Sequence, residues 1–209
     1  MALTKAVAQV DEWQNVAANT GIVEGATVDV SACYQSILTI VAALTTNAGT
    51  ATNGIEIRCQ MSANTTGDED WVEFSSFQGP TSTALASNTE TITNNPLSVG
   101  GTSITMASTT GYGLPTGTDN GWRYLKDSTI ANSEIVFQTA VTTNTNITIL
   151  EGVTNQHANT TVLSNVVGIY TVQIPDSASR VRIIYNNTKD AASGSAVDVM
   201  SRISKITGI

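Results

Sequence analysis

Residues 37–44 read Ile-Leu-Thr-Ile-Val-Ala-Ala-Leu, a continuous apolar run of strand length. This is the pattern of a central strand covered on both faces. Upstream, Val28 and Val30 alternate with Thr27 and Asp29. Downstream, Asn53-Gly54 is a strong turn signal. Ile55, Ile57, Cys59 and Met61 then alternate with Glu56, Arg58 and Gln60, as in a half-buried strand. Residues 71–77 (WVEFSSF) form a further strand carrying three aromatics. Residues 79–98 are polar and punctuated by Pro80, Asn94, Asn95 and Pro96. A compact block of short strands follows at 103–107, 122–126, 134–141 and 146–150. Longer strands resume at 166–174, 180–185 and 197–203. Strands at this spacing without intervening helices predict an all-β fold. We read a jelly-roll-like β-sandwich from residues 21–94 plus 166–209, with residues 97–165 inserted as a small β-barrel-like domain.

Residues 1–20 read differently. Leu3, Val7, Val10 and Trp13 recur at three- to four-residue spacing, the mark of a short amphipathic helix, with an extended arm as the alternative. Either form carries an apolar stripe that must dock on the body of the chain or on a neighbour. We expect the stripe to fasten the protein to a neighbouring subunit. Residues 1–13 hold one Lys and no long apolar stretch, so they do not read as a secretory signal.

Composition agrees with strands. The chain has 209 residues, of which 41% are hydrophobic and only 12% charged. Thr, Ser and Asn supply roughly a third of it, far above their usual share. Leu, Glu, Lys and Arg are scarce, which disfavours helices. Nine basic against 17 acidic residues give a formal charge of −8. Such a chain has little with which to neutralise phosphates, so nucleic acid is not expected as a partner. No apolar run reaches the ~18 residues of a membrane helix.

The chemistry-bearing residues are few. His157 is the only histidine and lies in a polar stretch, Asn-Gln-His-Ala-Asn. No G-x-S-x-G elbow accompanies it, so no Ser-His-Asp site is expected. Cys33 and Cys59 read as small buried residues, with a disulfide as the alternative. Asp68, Glu69 and Asp70 form the densest acidic cluster, but not at the spacing of a Ca²⁺ loop, and we read them as solvated. The Gly-rich stretch 111–121 lacks the lysine and following helix of a phosphate cradle. We therefore expect no catalytic residue, no metal and no cofactor. Trp71, Tyr112, Trp122 and Tyr124 have the makings of a sugar-stacking platform, although core packing explains them more simply. Arg180 and Arg182 alternate with Val181 and Ile183, so they share the exposed face of one strand and are candidates for a subunit contact.

The inserted block carries the sequences GGTSITMASTTGYG and TIANSEIVFQTAVTTNTNITILEGVTNQH. They resemble a module of tailed-bacteriophage virion proteins. The flanks DVSACYQSILTI, CQMSANTTGDEDWVEF and VQIPDSASRVRIIYNNT are similar in character, so the resemblance spans residues 20–209. It implies a virion structural protein, assembled in the host cytoplasm and acting through other virion proteins and further copies of itself. We expect a capsid decoration protein. A neck, tail or fibre-attachment component is the alternative, and a carbohydrate-binding module for host adsorption is the alternative from another class.

Overall fold

A computed structural model describes residues 3–18, 21–33, 35–45, 53–67, 70–81, 89–113, 120–143, 145–188 and 196–208. The described residues form strands, turns and a single 3₁₀ turn at Ile130–Asn132, arranged in three antiparallel sheets. The first sheet has the order β1 (Leu3–Val16), β15 (Val197–Gly208), β4 (Gln35–Leu44), β13 (Val167–Gln173). The second runs β2 (Ile22–Glu24), β14 (Arg180–Asn186), β5 (Glu56–Ser62), β6 (Val72–Gln78), with β3 (Val28–Asp29) also paired to β14. The third runs β7 (Thr89–Thr91), β12 (Val162–Ser164), β9 (Trp122–Lys126), β10 (Glu134–Thr142), β11 (Asn146–Ile149), β8 (Ser103–Thr105).

With the third sheet and the short β3 set aside, eight strands remain. Numbered afresh along the chain, they stand as 1-8-3-6 in one sheet and 2-7-4-5 in the other. Successive strands change sheets except at the β5–β6 hairpin. This is jelly-roll topology, two interlocked Greek keys. The two sheets close over one core. Leu38, Ile40, Ala42 and Leu44 of β4 meet Ile57 and Cys59 of β5, Val181, Ile183 and Tyr185 of β14, and Val199 and Ile203 of β15.

The apolar run 37–44 has two addresses. Its even-numbered members point into the sandwich, while Val41 and Ala43 point the other way, into a separate apolar cluster beneath the third sheet. β4 is therefore central, buried on both faces from Ile40 to Leu44, while Gln35, Ile37 and Thr39 before it keep their outer side open.

The third sheet curls until its two ends meet. Ile92 bridges to Met106, and the Thr93 amide donates to the Thr105 carbonyl at 2.7 Å. It encloses its own core of Ile104, Tyr112, Leu125, Val136, Ile147 and Leu163. β7 and Ile92 belong to this sheet, although the sequence boundary at residue 97 left them with the sandwich. Their Thr-rich, short strand carries too little periodicity to be read from sequence. The chain enters the barrel-like sheet after β6 and leaves it before β13. These two crossings, Gln78–Thr81 and Asn165–Gly168, line a single groove of about 460 Å³.

The N-terminal segment is a strand: the extended alternative is the form observed, and the expectation of a helix is corrected. β1 pairs antiparallel with β15 from Leu3 opposite Gly208 to Val16 opposite Val197, with irregularities between Gln9 and Asp11 and between Asp11 and Gln14. Each bulge adds a residue and flips the side-chain alternation. The three- to four-residue apolar spacing that imitates a helix is the product of a bulged strand. Val10 and Val16 face the sandwich core, and Trp13 faces the barrel.

Candidate functional site: a half-covered sheet face

The outer face of the first sheet is the meeting place of the barrel and the sandwich. Trp13, Val41, Ala43, Val167 and Met200 form its floor, and Tyr124, Trp122, Ile130 and Ile135 pack down from the barrel. The Trp13 and Tyr124 rings lie 4.5 Å apart at a tilt of 40°. Asp198 is fully buried at this junction. It accepts from Tyr124 Oη at 2.7 Å and Asn15 Nδ2 at 2.6 Å, and pairs with Lys126 Nζ at 3.3 Å. Burial, and then the Asp198 charge, push the Tyr124 hydroxyl pKa far above its ordinary value. It therefore stays a donor at any ordinary pH.

The barrel covers only one end of this face. Toward the other end, cross-strand rows run Val7, Ser204, Ile37, Gln173 and Lys5, Ile206, Gln35. Val7 is 61% exposed and Ile37 43%. Gln9, Arg202, Thr39 and Thr171 form the row nearest the barrel. There a groove of about 370 Å³ opens, lined by Glu12, Trp13, Glu134, Ile135, Met200 and Arg202 among others. The open half is thus mixed in character, with branched apolar side chains set among amides, hydroxyls and two cations.

A second cluster stiffens the barrel. His157 is fully buried, with Nδ1 3.1 Å from Asp127 Oδ2 and Nε2 2.7 Å from Glu134 Oε1. Burial pulls the His157 pKa down, but the hydrogen bonds to Glu134 and Asp127 outweigh it and leave it raised. Both carboxyls are pushed up by burial. Asp127 is nonetheless held low by the Thr129 amide and His157, and Glu134 by His157 and Thr154. Both ring nitrogens lie against carboxylate oxygens, and on that geometry we assign the cluster as an imidazolium donating to two carboxylates. Glu134 also receives the Thr154 amide and hydroxyl and the Asn155 amide, so it ties down the loop after β11. Both oxygens aimed at the ring are held in these bonds, and His157 is buried although its polar sequence neighbours gave no sign of that.

The sequence-derived contact residues separate. Val10 and Trp13 are buried within their own chain, which removes them from any partner surface. Val7 lies on the open face, and the side chain of Leu3 falls outside the described residues. Arg180 and Arg182 lie on the outer face of the second sheet, where both guanidinium groups stack on Trp71, at 5.0 and 4.3 Å from its centroid. Arg182 also reaches Gln60 at 2.9 Å and Glu24 at 3.3 Å, and Arg180 holds the Asn64 and Gly67 carbonyls. The sugar platform does not form, because Tyr112 and Tyr124 are fully buried in different clusters. Cys33 and Cys59 are free thiols, Cys59 buried with its pKa pushed up to about 12 and Cys33 partly exposed. Asp68 and Glu69 lie outside the described residues, and Asp70 accepts from the Asn64 amide. Among the described residues no group of three or more His, Cys, Asp or Glu is placed to hold a metal.

No protein-family model and no curated protein matches the chain. Viral capsid proteins are among the solved structures with a resemblance to it. The VP2 subviral particle of infectious bursal disease virus aligns at 12% identity and a TM-score of 0.25, over 99% of this chain and 42% of that one. VP17, a capsid protein of bacteriophage P23-77, aligns at 12% identity and 0.20, over 100% and 98%. The complex of VP16 and VP17, the two major capsid proteins of that phage, gives 10% identity and 0.20. The chain spans about two fifths of the length of the bursal virus protein.

Proposed function

We propose that this chain is a structural protein of a virus particle, and specifically a capsid decoration protein that seats on the shell through the open half of its first sheet. The observation that carries the reading is that half-open face. The sandwich interior is filled by packed apolar side chains, so what the fold offers a partner is surface. The barrel-covered end keeps the sheet rigid, while the free end presents Val7, Ile37, Lys5 and Arg202. A rigid β-surface loses little entropy on docking, and many weakly held copies across a lattice add up. The jelly roll is a common architecture of capsid proteins, which agrees as an analogy of fold. The acidic balance of the chain favours solubility of free copies before assembly. The tailed-phage character of residues 20–209 supports the same class, and the reading includes no catalytic step.

Quantitative mass spectrometry of purified particles tests it. A decoration protein is present in hundreds of copies, whereas a neck or tail protein, the alternative within the class, is present in dozens or fewer. Ile37→Asp, on the open face, should fold normally and lose incorporation. Absence of the chain from particles would overturn the virion reading, and undiminished incorporation of Ile37→Asp would overturn the choice of face.

A further inference from the structure

The first sheet ends at β1, whose outer edge has no strand partner among the described residues. From Leu3 to Gln9 the strand is regular, each residue opposite one residue of β15. A regular free edge of N–H and C=O groups is a template for another strand. Val7 stands at this edge as the last member of the row Ile37, Ser204, Val7. Charge along β1 is polarised: Lys5 lies in its first half and Glu12 in its second, both exposed.

We propose that a second copy of this chain pairs with β1 in antiparallel fashion over residues 5–9, centred on Val7, so that two four-stranded sheets join into one of eight strands. Antiparallel self-pairing is two-fold symmetric, and each half of the interface repeats the other. It sets Val7 against Val7 of the second copy, and Lys5 against its Gln9 and toward its Glu12. Parallel pairing would stack like charge on like. The bulge after Gln9 ends the regular edge and so limits the paired stretch. The inference rests on the assembly reading in one respect: joining the sheets doubles the open face, giving one rigid body with two patches for the shell.

Directly opposed residues of an antiparallel pair have Cβ atoms roughly 4.5–5.5 Å apart, close to the separation a disulfide spans. The test uses the purified full chain with Cys33→Ser, carrying Val7→Cys or the control Val72→Cys. Val72 is 58% exposed, much like Val7, but lies in the second sheet. Under mild oxidation Val7→Cys should form a covalent dimer about tenfold faster than Val72→Cys, through raised local concentration. Adding Lys5→Glu should slow it, and adding Glu12→Lys as well should restore it. Equal rates at the two positions, or indifference to the charge pair, would overturn the proposal. Sedimentation of the unmodified chain gives a second readout: a concentration-dependent dimer that Val7→Asp abolishes. A chain that stays monomeric up to about 1 mM, where association is worth only about 4 kcal/mol, would also overturn it. These measurements need no particle, so their failure leaves the particle measurements standing, and the reverse holds.

Discussion

Replacing His157 with Gln removes the imidazolium from between Asp127 and Glu134 and leaves two carboxylates facing a neutral amide. Taking one partner from a buried ion pair costs about 3–5 kcal/mol when the remaining charge is sealed in. Asp127 and Glu134 keep 9% and 13% of their side-chain exposure, so water can reach them and the cost falls below that range, to about 2–3 kcal/mol. In a chain of this size, that lowers the melting temperature by about 5–10 °C. The pH dependence follows from the directions of the shifts. His157 has a raised folded pKa, so its contribution is complete below the unfolded imidazole value and disappears as pH rises through the folded one. The two carboxyls have lowered folded values, so theirs is complete above the unfolded carboxylate values and disappears as pH falls through the folded ones. All three act together between about pH 4.5 and 6.5. Differential scanning calorimetry of both proteins from pH 4 to 10 should show the largest gap in that window, narrowing at alkaline pH. A gap that is constant from pH 5 to pH 10 would refute the charged-imidazole assignment.

Asp198→Ala strips the acceptor from Tyr124, Asn15 and Lys126 at the junction, and should cost about 3–5 kcal/mol by chemical denaturation. Gly54→Ala forces a side chain onto a residue at φ 67°, with its Cβ 2.4 Å from the Gly79 Cα; loss of more than about 1 kcal/mol is expected by thermal melting. Arg182→Ala removes partly exposed contacts to Trp71, Gln60 and Glu24, and should change stability by no more than about 1 kcal/mol by the same measurement. We propose that the barrel is separable. Joining residue 81 to residue 166 by a short Gly/Ser linker should leave a β-protein that unfolds cooperatively by circular dichroism, though less soluble, because Trp13, Val41 and Met200 lose their cover.

The sandwich was legible where alternation is strict. β5 and β14 each bury a face that the sequence marks with an apolar residue at every second position, β4 is marked instead by a continuous apolar run, and the boundaries of all three fall within a residue or two of the structure. β1 was not legible as a strand, because two bulges break its period and leave Val7, Val10 and Trp13 at helical spacing. β7 was hidden by its length, since three residues cannot display a period. Long-range polar partners were equally hidden. Nothing near His157 in sequence points to Asp127 or Glu134, because the antiparallel barrel brings together residues 23 and 30 positions apart.

The bulges that concealed β1 also explain why its stripe is divided between two roles. Without the first bulge, Val10 and Asp11 would point to opposite faces. With it, both turn toward the sandwich, where Asp11 accepts from Tyr185 Oη at 2.9 Å and Ser201 Oγ at 2.8 Å while Val10 packs among aliphatic side chains. The second bulge turns Trp13 to the barrel side against Tyr124. Val7 precedes both bulges and keeps the regular alternation, so it stays on the sheet face that the barrel does not reach. Anchoring to the chain's own core and exposure to a partner are thus separated within one strand at Gln9. A truncation removing residues 2–18 would take away Val10, Trp13 and Val16 along with Val7, and its failure to assemble would report lost folding. Substitution at Val7 or Ile37 alone isolates the surface from the core.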